Sequence, residues 1–151
     1  MDIPTSVAQL LLLGGLLTGS RAFEVAKPDS DWDIVIYEDQ VPSWIHDHPT
    51  YSTCSSIERD SDPDQPRYNY NIFGHSLIDI TRVTLEDGTN INLFEFDRSI
   101  DIIPKFRELN RRMLKLSSRA IPFNTDISIK ENRVQAFIDL CIDLDIAEPT
   151  T

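Results

Sequence analysis

The spacing of apolar side chains divides the chain into helical and extended stretches. An opening helix is predicted from Asp2-Ile3-Pro4 to about Leu13, with Asp2 as N-cap and Pro4 in the first turn. Gly14-Gly15 ends it and turns the chain into a short apolar strand at Leu16-Leu17-Thr18. A Gly19-Ser20 turn, a brief helix and a Pro28-Asp29-Ser30 break then lead to a second strand that runs to about Tyr37. Side chains alternate along a strand, so Asp31 and Asp33 share a face, and Trp32 between them points to the opposite face, into the core.

Pro42 to His48 predicts one short helix. Pro49 to Asn71 has few apolar residues and reads as a long mobile loop, with Tyr68, Tyr70 and Phe73 near its end either folding over a ligand or anchoring it to the core. Leu77 to Leu85 is rich in β-branched residues; Glu86-Asp87-Gly88-Thr89 is a hairpin turn, and Ile91 to Phe96 is the returning strand. From Pro104 the period becomes helical, with Phe106, Leu109, Met113 and Leu116 on one side. A last helix is predicted from Lys130 to Leu144, with Val134, Phe137, Ile138 and Cys141 facing inward. The pattern predicts a single α+β (α/β) domain over residues 1–151, built on one mixed sheet of about four strands flanked by helices.

Charge narrows the choice of partners. Lys and Arg number 14 against 25 Asp and Glu, a net charge of -11, which argues against extended non-specific DNA binding and against an anionic membrane surface. The apolar run Leu10 to Leu17 is broken by glycines, is shorter than the roughly 20 residues that span a bilayer, and follows no basic residue. The sequence therefore predicts neither a signal peptide nor a membrane anchor, and a cytoplasmic location. Cys54 and Cys141 are far apart with no Cys-x-x-Cys, which fits a reducing compartment.

The candidate chemistry sits around the second strand. Two carboxylates on one face at the mouth of an apolar strand repel each other and require a counter-charge, for which a divalent metal is the usual solution. The Gly-Ser turn offers free backbone N–H groups to phosphate. Together they point to nucleotide chemistry. No Gly-x-Ser-x-Gly, P-loop or dinucleotide fingerprint competes with it.

Gly19-Ser20-Arg21-Ala22, followed by Pro28-Asp29-Ser30-Asp31-Trp32-Asp33-Ile34-Val35-Ile36, resembles the core signature of the nucleotidyltransferase superfamily, the group that includes DNA polymerase β. The likeness is strongest over residues 1–37. Beyond them the chain is similar in outline to small phage-encoded nucleotidyltransferase-like proteins, through an Asn-apolar-apolar strand, a basic helix and the Lys130-x-x-Arg133-Val134-x-x-Phe137 helix. The resemblance implies a nucleotidyltransferase-like fold and Mg2+-dependent transfer of a nucleoside monophosphate from an NTP, ATP among them, to a hydroxyl of an acceptor that is RNA, protein or a small molecule. It implies Gly19 and Ser20 at the phosphates, with Arg21 and Lys27 as further phosphate contacts. It implies Asp31 and Asp33 as the catalytic, metal-binding pair, holding two Mg2+ ions together with a third carboxylate. A phage origin would place the protein in the host cytoplasm.

The third carboxylate is expected on a strand of the form apolar-Asp-apolar. In Ile91-Asn92-Leu93 the central residue is Asn92, an amide that can ligate a metal but cannot serve as a general base. Ile78-Asp79-Ile80, on the preceding strand, does have the expected form. Asn92 ranks first as the topological equivalent and as a metal ligand, and Asp79 competes with it. Glu95 and Asp97 fall on the opposite face from Asn92 in a regular strand. With Asn92 in third place the alternative is a catalytically degenerate member that binds nucleotide, nucleic acid or a partner protein, as a phage accessory factor would.

Two further features carry weaker signals. Lys105, Arg107, Arg111, Arg112, Lys115 and Arg119 make the one basic block of the chain, with only Glu108 opposing it. The block is either a phosphate or nucleic-acid contact or a solvated helix face. His46-Asp47-His48 contains His-x-His, but no further His or Cys stands at zinc-site spacing.

Overall fold

The structure, a computed structural model, describes residues 2–55, 70–72, 79–117 and 126–149. Helix α1 (Thr5–Leu12) leads into β1 (Leu16–Thr18), the one-turn helix α2 (Gly19–Ala22) and β2 (Trp32–Tyr37). A 3-10 turn at Glu38–Gln40, helix α3 (Ser43–His46) and strands β3 (Ser52–Ser55), β4 (Tyr70–Ile72), β5 (Asp79–Thr84) and β6 (Asn90–Phe96) follow. Helices α4 (Ile103–Ser117) and α5 (Lys130–Asp143) and a short strand β7 (Ala147–Pro149) complete it. The fold is α+β.

The four strands expected from the sequence lie side by side as β1-β2-β6-β5, and β3 adds a fifth at the edge beside β5. The sheet is mixed: β2 and β6 run parallel, while β1–β2, β5–β6 and β3–β5 are antiparallel. A separate ribbon pairs β4 with β7. The expected loop from Pro49 to Asn71 is thus corrected at both ends. Ser52–Ser55 and Tyr70–Ile72 are extended because each finds an open strand edge to pair with, β5 and β7 respectively. Tyr68 and Phe73 lie outside the described residues, as does the middle of that loop.

The start of α1 is a second correction. Pro4, not Asp2, is the N-cap residue, with φ -56° and ψ 147°, and no side chain caps the helix. Pro4 C=O accepts the Ala8 N–H at 3.0 Å, so the first turn opens after the proline ring and leaves Asp2 too far upstream to cap it. The other end follows expectation. Gly14, at φ +105°, donates to Leu11 O at 3.2 Å, and Gly15 donates to Leu10 O at 3.0 Å. This glycine-dependent reversal feeds the chain into β1.

Both faces of the sheet are covered, which is why Ile34, Val35 and Ile36 are all fully buried in succession. Trp32, Ile34, Ile36, Ile91, Leu93 and Val83 pack with Val7 and Leu10 of α1 and with Ile45 of α3. Val35 and Phe96 pack on the other face with Phe106, Leu109 and Met113 of α4 and Cys141 of α5. Each such side chain contributes about 1.5–3 kcal/mol relative to exposure. The predicted helical stripe of α4 is this second core. The face that carries Val35 also carries Asp33, by strand alternation.

Candidate functional site

The site begins at the turn between β1 and α2. Gly19 adopts φ +72°, a left-handed conformation natural to glycine. Register sets Thr18 opposite Asp33, so the Asp33 carboxylate lies against the turn. A Cβ added to Gly19 would stand 2.1 Å from Asp33 Oδ2. Glycine is thus required twice at this position, for its backbone angle and for the room that Asp33 occupies. The Gly-Ser turn and the Asp-x-Asp strand, separated by a helix and a loop in sequence, meet here in space.

The next strand supplies Asn92. Asp33 pairs with Asn92 across the parallel β2–β6 ladder, and Asn92 pairs with Arg82 across β5–β6. Thr18, Asp33, Asn92, Arg82 and Ser52 therefore form one row across all five strands. Asn92 is 7% exposed. Its Nδ2 donates to Asp33 Oδ1 at 2.9 Å and to Asp31 Oδ2 at 3.2 Å, and its Oδ1 accepts from Arg82 Nε at 3.0 Å. Both carboxylates thus converge on one nitrogen, which confirms that Asp31 and Asp33 share a face. Trp32, 5% exposed, lies in the opposite core as expected.

For the third position the register favours Asn92. Asp79 is three residues from Arg82 along β5, an odd offset, and pairs on its other side with Ser55. Its backbone position belongs to the opposite face. Glu95 lies on that opposite face too, where its Oε2 accepts the Tyr51 hydroxyl at 2.7 Å.

Arg21 and Lys27 flank the turn. Arg21 Nη2 donates to Ser30 O at 2.7 Å and to Pro28 O at 3.2 Å, and its guanidinium carbon sits 4.0 Å from the centre of the Trp32 ring. Arg21 thereby clamps the loop that delivers Asp31. The same loop is closed by the Lys27 N–H, which donates to Ser30 Oγ at 2.9 Å. The Lys27 side chain is exposed.

Helix α4 touches the site through Asn110. Thr18 Oγ1 donates to Asn110 Oδ1 at 2.8 Å, and Asn110 Nδ2 donates to Leu17 O at 2.8 Å. Much of the basic block is engaged internally. Glu108 pairs with Arg111 and Arg112; Arg112 also reaches Asp143 of α5 at 2.6 Å, and Lys105 reaches Asp145 O at 3.1 Å. Arg119 lies outside the described residues. The two histidines diverge: His46 contacts Asp47 at 3.3 Å, and His48 contacts Glu86 at 2.8 Å, beside a recess lined by Trp44, Leu85 and Asp87. That recess is lined by α3 and the β5–β6 turn, not by the aspartate row.

Among the described residues no group of three or more His, Cys, Asp or Glu gathers as a metal site. The convergence of Asp31 and Asp33 on one atom fits a single hard cation that takes its remaining ligands from water or phosphate. Among the described residues no third carboxylate joins the pair, and Asn92 presents N–H at the position where one is expected. Sequence reasoning missed Arg82, Thr18 and Asn110. Arg82 was within reach: counting back from the Asp87-Gly88 turn puts it opposite Asn92. Asn110 carries no such signal, since its partner is distant in sequence.

No protein-family model, curated protein or solved structure matches the chain.

Proposed function

We propose that this chain is a nucleotidyltransferase-like domain that binds a nucleoside triphosphate together with one Mg2+ ion. The observation that carries the reading is the convergence of the Gly19 turn, Asp31 and Asp33 at one end of the sheet, with Asn92 rather than a carboxylate behind them. Gly19 and Ser20 would take the phosphates through their backbone N–H groups. Asp31 and Asp33 would hold the ion, which would neutralise phosphate charge. Arg21 would keep the loop and Asp31 in place, and Lys27, exposed at the rim, would meet the outer phosphates. Asn92 steadies both carboxylates without offering a base, so binding is better supported than transfer.

Transfer of a nucleoside monophosphate to an acceptor hydroxyl is the second reading. The Asp31–Asp33 pair and the Gly-Ser turn, in the arrangement the resemblance implies, favour it. In that case Asp31 and Asp33 alone would align the ion and the reacting phosphate, and the acceptor would be RNA, protein or a small molecule.

One experiment addresses both. The full chain is incubated with each α-labelled NTP, Mg2+ or Mn2+, and RNA or cell lysate, beside an Asp31→Asn/Asp33→Asn variant. Cation-dependent NTP retention lost in the variant, with no labelled product, supports binding alone. Labelled product and pyrophosphate above the variant establish transfer. Equal retention by both proteins overturns the assignment of the site.

A further inference from the structure

The Asn92 amide is fixed at both ends. Arg82 Nε–H, at 3.0 Å, meets its oxygen, and the two carboxylates meet its nitrogen. Turning the amide over would set N–H against a guanidinium and oxygen against two carboxylates. Three hydrogen bonds to charged groups would be lost, each stronger than a neutral one. Arg82 is exposed, and an exposed strand position does not require arginine for packing. A lysine would bring the same charge but not a rigid, directed N–H.

We propose that Arg82 is a positioning residue for this site: by holding Asn92 Oδ1 it keeps the amide turned as a donor toward Asp31 and Asp33 and excludes Asn92 from the cation's ligands. This rests on the reading of Asp31 and Asp33 as a cation-binding pair. The amide then serves as a fixed, weak substitute for positive charge between the carboxylates. Among the described residues two side chains hold the cation, which is correspondingly exchangeable, and this suits a site whose metal arrives with the nucleotide. Releasing the pin frees Asn92 to present Oδ1 as a third ligand.

The test is a Mn2+ titration of the full chain, with free Mn2+ read by its paramagnetic resonance signal. The proteins are wild type, Arg82→Lys, Arg82→Gln, Asn92→Ala, Arg82→Lys/Asn92→Ala and Asp31→Asn/Asp33→Asn. Arg82→Lys keeps the charge, so a tighter Kd by about fivefold or more marks the freed amide, and this gain disappears when Asn92 is absent. Arg82→Gln gives the same direction and stands in should the lysine variant fold poorly. An unchanged Kd in both Arg82 variants, or a gain that persists without Asn92, overturns the positioning role while leaving the carboxylate site intact. Wild-type Mn2+ binding indistinguishable from that of Asp31→Asn/Asp33→Asn overturns the site and the proposal together.

Discussion

Gly19 and Asp33 compete for one small volume: the carboxylate oxygen Oδ2 lies 2.1 Å from where a Gly19 side chain would begin. Gly19→Ala therefore meets two costs, a left-handed backbone angle and a displaced carboxylate. A loss of about 2–4 kcal/mol is expected from the two together. Gly88 provides the control. It has φ +87°, but a Cβ there meets nothing within 4 Å, so Gly88→Ala bears the backbone cost alone, about 1 kcal/mol. Denaturant unfolding of both variants checks the difference, and equal losses would mean that Asp33 moves aside freely.

Asn92 offers a cation-dependent prediction. Asn92→Asp replaces the donor between two carboxylates with a third carboxylate, in a position that is 7% exposed. In chelator the variant is expected to lose about 3 kcal/mol, from lost hydrogen bonds and added repulsion. Mg2+ at millimolar concentration should restore most of it, since three carboxylates make the stronger site, whereas wild type should respond only slightly. Thermal melts with and without Mg2+ decide it; a variant insensitive to Mg2+ would show that the third position does not face the cation.

Much of this arrangement was legible before the structure. The Asp-Gly turn predicts the hairpin, and the helical stripe of Phe106, Leu109 and Met113 predicts α4, because local periodicity and turn chemistry decide those elements. The Asp31–Asp33 alignment follows from strand parity. Pairings between distant segments were not legible. Ser52–Ser55 carries almost no apolar signal and is a strand because β5 leaves an edge open. The basic block of α4 reads from sequence as either an anion contact or a solvated face, because its counter-charge Asp143, on α5, is distant in sequence.

Asn110 joins α4 to the edge strand that leads into the Gly19-Ser20 turn, through Thr18 Oγ1 and Leu17 O. Asn110→Ala leaves the buried Thr18 hydroxyl without its acceptor, and a loss of about 1–3 kcal/mol is expected. Thr18→Val removes the other partner. The double variant should lose less than the sum, because both singles break the same bond. Strict additivity in chemical unfolding would rule out the Thr18–Asn110 bond in solution.

Glu108 gives an acid-side prediction. Hydrogen bonds from Arg111 and then Arg112 lower its carboxyl from 4.5 to about 2. A carboxyl depressed in the folded state supplies stability above its unfolded value that is lost as pH falls from 4.5 toward about 2. The effect is small because the cluster is solvent-exposed. Glu108→Gln should flatten the stability profile over that window and leave the profile above pH 6 parallel to wild type. Salt should narrow the gap between the two proteins.

Tyr51 governs the alkaline side. Burial, reinforced by its hydrogen bond to Glu95, raises the hydroxyl from 10.0 to about 12. The Cys141 thiol, buried beneath α4, is raised from 9.0 to about 12 by burial alone. A group whose folded value is raised contributes stability that is complete below its unfolded value and lost as pH rises through the folded one. The fold should therefore weaken from pH 9 upward, first through Cys141 and then, above 10, through Tyr51. Tyr51→Phe should remove the later part of this loss while costing about 1–2 kcal/mol at neutral pH, where Glu95 loses its donor. Tyrosinate absorbance followed beside unfolding separates the two events: Tyr51 should ionise only as the protein opens. A tyrosinate signal complete near pH 10 in the folded protein would remove Tyr51–Glu95 as a stabilising pair.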